Sequence, residues 1–241
     1  MLPPIHRTAR QNAAIAPVTL IVWHDLVPAK KLVWFDTTVA EFGKQLTQLE
    51  RAEARPISLH DLYRYLATGT PTPPPGAVVL CFDDNTVGIY RHAAPLLAKR
   101  GWKFAVSAHT AYVGVPTSKE HNTYAMLREM EGQGAVIVSQ THTHPPDLTT
   151  LSDAALKKEM TESRNRMEKG LGHGVRYITY PSGKWNKRVA EAAQSAGYVL
   201  GLTEDRGAAE KSPHLLAINR YSSHKRFGEA VRAVTRSARG K

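Results

Sequence analysis

One cysteine, Cys81, in 241 residues excludes an intrachain disulfide, so the fold has to rest on its hydrophobic core. Long apolar runs are missing as well: none approaches the roughly 18 residues of a membrane span. Residues 1–16 carry charge at His6, Arg7 and Arg10 but no continuous apolar stretch of the kind a secretory leader needs. The expected location is therefore extracellular or periplasmic if a leader has been removed, and cytoplasmic otherwise. Internal repeats and low-complexity segments are absent. Acidic residues are in deficit, 21 against 32 Lys and Arg, and the net charge of +11 would attract polyanions of any kind, including nucleic acid, anionic cell-wall polymers and acidic lipid. Charge alone names no partner, and the basic tail at 225–241 reads as a solvated helix face. Nucleic-acid or polyanion binding is kept as a remote alternative, with no obligatory nucleic acid expected.

What is present is ordinary for a globular protein: 42% hydrophobic and 22% charged residues. The length fits one domain over 17–241 behind an extension at 1–16. Short apolar runs alternate with longer helical patterns, which makes the class α/β. Strands are expected at 18–23, 57–59, 77–82, 103–108, 135–139, 176–180, 198–202 and 215–219. Helices are expected at 39–51, 60–66, 90–100, 123–133, 152–169, 186–196 and 227–237. The Pro-rich stretch 70–76 is a loop leading into the strongest strand, 77–82.

Such an alternation predicts parallel strands with helices outside, and chemistry then gathers at the carboxyl ends of the strands. His24, the pair Asp83 and Asp84, the cluster 140–144 and the turn Pro181-Ser182-Gly183 stand at those ends. Two adjacent aspartates after Val78-Val79-Leu80-Cys81-Phe82 repel one another, and a bound cation would compensate, with one carboxylate as ligand and the other held nearby as general base. The alternative is that Asp83-Asp84-Asn85 caps the next helix. If Gln140-Thr141-His142-Thr143-His144-Pro145 stays extended, Gln140, His142 and His144 share a face and a two-histidine site for a divalent transition metal is feasible. The alternative is a pair of surface histidines that bind nothing.

Cys81-Phe82-Asp83-Asp84 resembles the Thr-Phe-Asp-Asp-Gly motif of the polysaccharide deacetylases, carbohydrate esterase family four. Downstream, Gln140-Thr141-His142-Thr143-His144-Pro145-Pro146-Asp147-Leu148 resembles the family's His-Thr-x-x-His-Pro-x-Leu segment, and Tyr180-Pro181-Ser182-Gly183 resembles its Tyr-Pro-x-Gly turn. Upstream, Val22-Trp23-His24-Asp25 and the helix with Phe42, Gln45 and Leu46 resemble the branch that includes poly-N-acetylglucosamine deacetylases. The resemblance implies a distorted (β/α)7 barrel that hydrolyses the N-acetyl amide of a glycan containing N-acetylglucosamine. It further implies Asp83 as general base, a divalent metal, zinc on ligand softness, held by Asp84 and the histidine motif, and the Ser182 N–H at the oxyanion.

This chain departs from the pattern at several positions. Gln140 stands where the first metal histidine falls and His144 where the second does, so the replacement ligand is His142, the obvious substitute, or Gln140 itself through its carbonyl oxygen. Asn85 replaces a glycine, which asparagine does at little conformational cost. Thr179 stands where many members carry an arginine that tunes the base, and no late Leu-x-His motif supplies a general acid, which leaves His24 and His224 as candidates. Tyr180, Pro181 and Trp185 are expected to contact substrate, with Trp34 a further aromatic for stacking on sugar rings. The alternative to an active deacetylase is a catalytically lapsed relative that keeps the cleft for glycan binding.

Overall fold

Short strands buried on both faces need helices on either side, and parallel pairing supplies them. The computed structural model describes residues 1–240 and has that arrangement. In chain order come α1 (Arg7–Asn12), β1 (Thr19–Trp23), β2 (Leu26–Val27), β3 (Thr37–Thr38), α2 (Val39–Arg51), β4 (Arg55–Pro56), α3 (Leu59–Thr68), β5 (Ala77–Phe82) and α4 (Ala94–Ala98). They are followed by β6 (Phe104–Ala108), α5 (Tyr124–Gly132), β7 (Ala135–Ser139), α6 (Asp153–Leu171), β8 (Tyr177–Thr179), α7 (Lys187–Ser195), β9 (Leu200–Leu202), β10 (Tyr221–Ser222) and α8 (Ser223–Ala238).

The main sheet runs β10-β1-β5-β6-β7-β8-β9, seven strands paired in parallel, with β4 added beside the start of β5. This is a distorted (β/α)7 barrel. Its seam lies between β9 and β10, where a single bridge joins Leu202 to Ile218.

Side-chain alternation divides the core in two. Ile21, Trp23, Val78, Leu80, Phe82, Phe104 and Val106 face the outer helices and pack with Phe42, Leu46 and Leu49 of α2 and Leu127 and Met130 of α5. Leu20, Val22, Ala77, Val79, Cys81, Ala105, Val136 and Val138 form the other cluster together with Leu59, Leu62, Tyr65 and Leu66 of α3. Ile5 and Ala9 belong to that second cluster, so the first residues of the chain are packed onto the barrel. Arg10 fixes them there, its guanidinium donating to the carbonyls of Glu210, Ser212 and Pro213.

Three expected elements differ. The run 57–59 does not form a strand: the extended piece is Arg55–Pro56, and Ser58 already caps α3, its hydroxyl accepting from the Asp61 N–H at 3.1 Å. The helix expected at 90–100 is a π-helical turn, Ile89–Ala93, followed by α4, because Pro95 has no N–H to continue a regular α-helical ladder through that point. The apolar run 215–219 is buried but not a strand. Apart from the bridge of Ile218 to β9, its amides are taken elsewhere, Leu215 donating to the Pro3 carbonyl and Asn219 to the Ser212 hydroxyl, so no strand is completed.

Gly88 opens the π-helical turn against β2, and a Cβ there would collide with the Leu26 carbonyl and the Asp25 carboxylate. Gly88→Ala is expected to destabilise the protein by about 1–3 kcal/mol. Urea unfolding checks this, and an unchanged midpoint would show that the loop yields freely.

Candidate functional site

The interior face of each strand determines what reaches the barrel mouth. Continuing the alternation by one step places His24 after Leu20 and Val22, Asp83 after Ala77, Val79 and Cys81, and Gln140 after Val136 and Val138. The same step on β6 gives His109, after Ala105 and Ser107. Four strands thus deliver a polar side chain to one place. The loops that follow are bent: of six non-glycine residues in the left-handed region, five, Asp84, Asn85, Thr141, His144 and Ser182, lie around this mouth. Backbone strain of this kind concentrates where side chains must be aimed.

Asp83 is 2% exposed and Arg220 1% exposed, and they form a two-pronged ion pair with N–O distances of 3.0 and 2.8 Å. Burial by itself would raise the Asp83 carboxyl, but the Arg220 charge and hydrogen bonds overcome it and hold the group below its ordinary value of 3.8. Asp83 is therefore a carboxylate at neutral pH. The third arm of Arg220, Nε, donates to the Thr203 carbonyl at 2.6 Å. Since Thr203 follows β9 and Arg220 precedes β10, the guanidinium bridges the barrel seam as it reaches Asp83. Thr179, at the position where many family members carry an arginine, instead shares a buried hydrogen bond with Ser107 at 2.8 Å. Sequence reasoning missed Arg220.

Asp84, Gln140 and His144 converge. The Gln140 carbonyl accepts from the Asp84 backbone N–H at 2.8 Å, and its Nε2 lies 3.0 Å from Asp84 Oδ1 and 3.2 Å from His144 Nε2. His144 Nε2 and Asp84 Oδ1 are 3.6 Å apart. His142 is not brought to them. Thr141, at φ 65°, breaks the expected extended run, so the common face for Gln140, His142 and His144 does not form. The His142 ring instead meets the Thr110 hydroxyl at 2.9 Å, and Glu159 of α6 pins the loop by accepting from the N–H groups of His142 and Thr143. Nor does the acidic pair cap a helix, because the turn that follows it has no side-chain cap.

Whether these residues fit a divalent metal depends on the Gln140 amide. The Asp84 N–H needs an acceptor, which fixes the amide with oxygen toward the backbone and NH2 toward Asp84 and His144. An amide nitrogen has no lone pair to offer a metal. That leaves one carboxylate and one imidazole, and among the described residues no three His, Cys, Asp or Glu side chains group to hold an ion. The arrangement does not fit the metal that the family resemblance implies.

His109, also missed, is 6% exposed and stacks edge-on against His144 and His121, at ring separations of 5.2 and 5.1 Å. Burial first, then the neighbouring His144, pushes it down to about 4, so it is neutral at physiological pH. Its strand register was the signal that could have found it.

The cleft over these residues encloses about 280 Å³ and is walled by His24, Trp34, Phe35, Ser182, Glu204 and His224. Trp34 is 64% exposed, edge-on to His224, with the Lys225 ammonium 4.4 Å from its ring centre. Burial, reinforced by His24 and nearby lysines, pushes His224 down to about 4, whereas His24 stands 3.9 Å from the Glu204 carboxylate. Ser182 lines the cleft at φ 55°, and the turn around it is closed by Gly183 and Lys184 N–H groups donating to Tyr180 and Pro181. Tyr180 and Pro181 are themselves buried, the Tyr180 hydroxyl donating to the Leu216 carbonyl at 2.9 Å. Trp185 lies in an adjoining depression, its indole N–H donating to Asp205 at 2.7 Å.

A parallel barrel with a tuned aspartate at its mouth defines a class, and comparison with known proteins identifies it. The family model described as Polysaccharide deacetylase matches residues 70–201, more than half of the chain, which belongs to that family. YxkH of Bacillus subtilis is 30% identical over 143 residues, covering 59% of this chain and 50% of the relative; the chain spans about half that protein's length. The poly-beta-1,6-N-acetyl-D-glucosamine N-deacetylase of Staphylococcus aureus is 24% identical over 188 residues, 73% of this chain and 63% of that one. Among solved structures, the deacetylase PplD of Streptococcus pyogenes, in complex with acetate, superposes with a TM-score of 0.77 at 25% identity, over 86% of this chain and 92% of that one. IcaB of Ammonifex degensii gives 0.80 at 20% identity, over 91% and 97%, and attests to the fold.

Proposed function

We propose that the cleft binds a glycan bearing N-acetylglucosamine and hydrolyses its acetamide, with Asp83 as general base. The observation that carries this reading is the Asp83–Arg220 pair, which keeps a carboxylate ionised at the floor of the cleft. Water attacks the acetamide carbonyl carbon as Asp83 takes its proton, and the tetrahedral oxyanion forms near the Ser182 N–H. The C–N bond then breaks, the amine leaves with a proton and acetate is released. His24 is the acid that the geometry favours, because it lines the cleft beside Glu204 and belongs to the same interior register as Asp83. The acetate bound in PplD and the substrate named for the Staphylococcus aureus relative support the same reaction class.

A second reading, glycan binding without turnover, is favoured by the Gln140 amide lodged between Asp84 and His144. Acetate release from β-1,6-linked N-acetylglucosamine oligomers, measured beside their equilibrium binding, separates the two. Turnover is expected from the first reading; binding with no acetate above the uncatalysed rate would replace it with the second.

A further inference from the structure

We propose that Gln140 does the work of holding Asp84 and His144 together that a cation would otherwise do, so that this cleft is assembled without bound metal. The proposal rests on the reading of this cleft as the glycan site, but not on turnover there. Three bonds carry it. The Gln140 carbonyl takes the Asp84 backbone N–H, and its NH2 spans Asp84 Oδ1 at 3.0 Å and His144 Nε2 at 3.2 Å. A donor thus sits between the two side chains that a metal would have used as ligands, bonded to one oxygen of the Asp84 carboxylate and facing Nε2 of His144.

Reversing the amide would turn its NH2 onto the Asp84 N–H, donor against donor, and its oxygen onto a carboxylate, acceptor against acceptor. Both contacts with Asp84 are lost in that flip. Of the nearby imidazoles, His142 is engaged with Thr110 across the loop and His109 is buried edge-on to His144 at 5.2 Å, and no three candidate ligands group among the described residues. The left-handed Asp84 and His144 backbones, at φ 71° and 56°, aim both side chains at the amide and thereby fix the cleft wall. Gln140 acts here as a positioning residue.

Zinc titration of the chelator-treated protein, followed by calorimetry and thermal unfolding, tests this. The wild-type chain is expected to show no stoichiometric zinc binding and a melting temperature unmoved by chelator or zinc. Gln140→His is expected to bind about one zinc per chain, tighter than wild type by at least about tenfold, and to melt higher when zinc is added. Gln140→Ala is expected to melt lower than wild type with no rescue by zinc. Stoichiometric, tight zinc binding by the wild-type chain would overturn the proposal, as would a Gln140→Ala variant restored by zinc. Acetate release is read separately, so turnover without metal, or no turnover at all, leaves these outcomes intact.

Discussion

Replacing Arg220 with methionine is expected to destabilise the protein by about 3–5 kcal/mol near neutral pH, the cost of leaving a buried carboxylate without its partner. Asp83 and Arg220 are both almost fully buried, and each is the other's charge partner. Methionine fills much of the volume but offers no donor to Asp83 or to the Thr203 carbonyl, so the barrel seam loses its crosslink as well. The loss depends on pH in a definite direction. In the wild type the folded Asp83 value is depressed below 3.8, so the stability it contributes is present above the ordinary carboxylate range and is lost as pH falls through the folded value. In the variant, burial is opposed only by the smaller effects of His24 and Ser107 and raises the Asp83 value, so the deficit is full at neutral pH and shrinks on acidification as the buried group takes up a proton. Urea unfolding at about pH 7 and about pH 5 would show this narrowing. A second variant separates charge from shape: Asp83→Leu combined with Arg220→Met removes both charges and should recover much of the lost stability. A deficit below about 1 kcal/mol in Arg220→Met at neutral pH would mean that the pair is screened like a surface one.

The barrel was legible because its strands are continuous apolar runs, and β5 and β7 are buried along their whole length where the sequence placed them. The position of Asp83, Gln140 and His24 followed from strand ends alone. Arg220 could not be found that way. It stands in a polar stretch, Asn219-Arg220-Tyr221-Ser222, with no period to mark it, and its burial depends on an aspartate that precedes it by 137 residues. His142 misled for a related reason. Two histidines at spacing two share a face only on extended backbone, and Thr141 is left-handed in a loop that Glu159 of α6 anchors. The run at 215–219 has the composition of a strand, but only its Ile218 amide bonds to β9, at Gly201, while Leu215 and Asn219 donate to Pro3 and Ser212 outside the sheet. Composition reports burial well; it does not report which hydrogen-bond partner wins.

Asp83→Asn is expected to lower the turnover number for acetate release by about 100- to 10,000-fold, the usual contribution of a positioned general base, with little change in glycan affinity. Asparagine keeps the outline of the side chain and its carbonyl oxygen still accepts from Arg220, but its NH2 faces the second guanidinium nitrogen and Arg220 is left buried without a counter-charge, so turnover is compared in protein shown by urea unfolding to be folded. Because Arg220 holds Asp83 below 3.8, protonation of the base should not limit the rate near neutral pH. Any fall in rate on mild acidification then belongs to a group other than Asp83. Oligomer kinetics across pH, run with binding isotherms for both proteins, check each part. A fall of less than about tenfold in the variant would remove Asp83 from the role of base. Lost binding in a variant that still unfolds cooperatively would instead make Asp83 a substrate contact, leaving Arg220 to orient it for recognition and not for proton transfer.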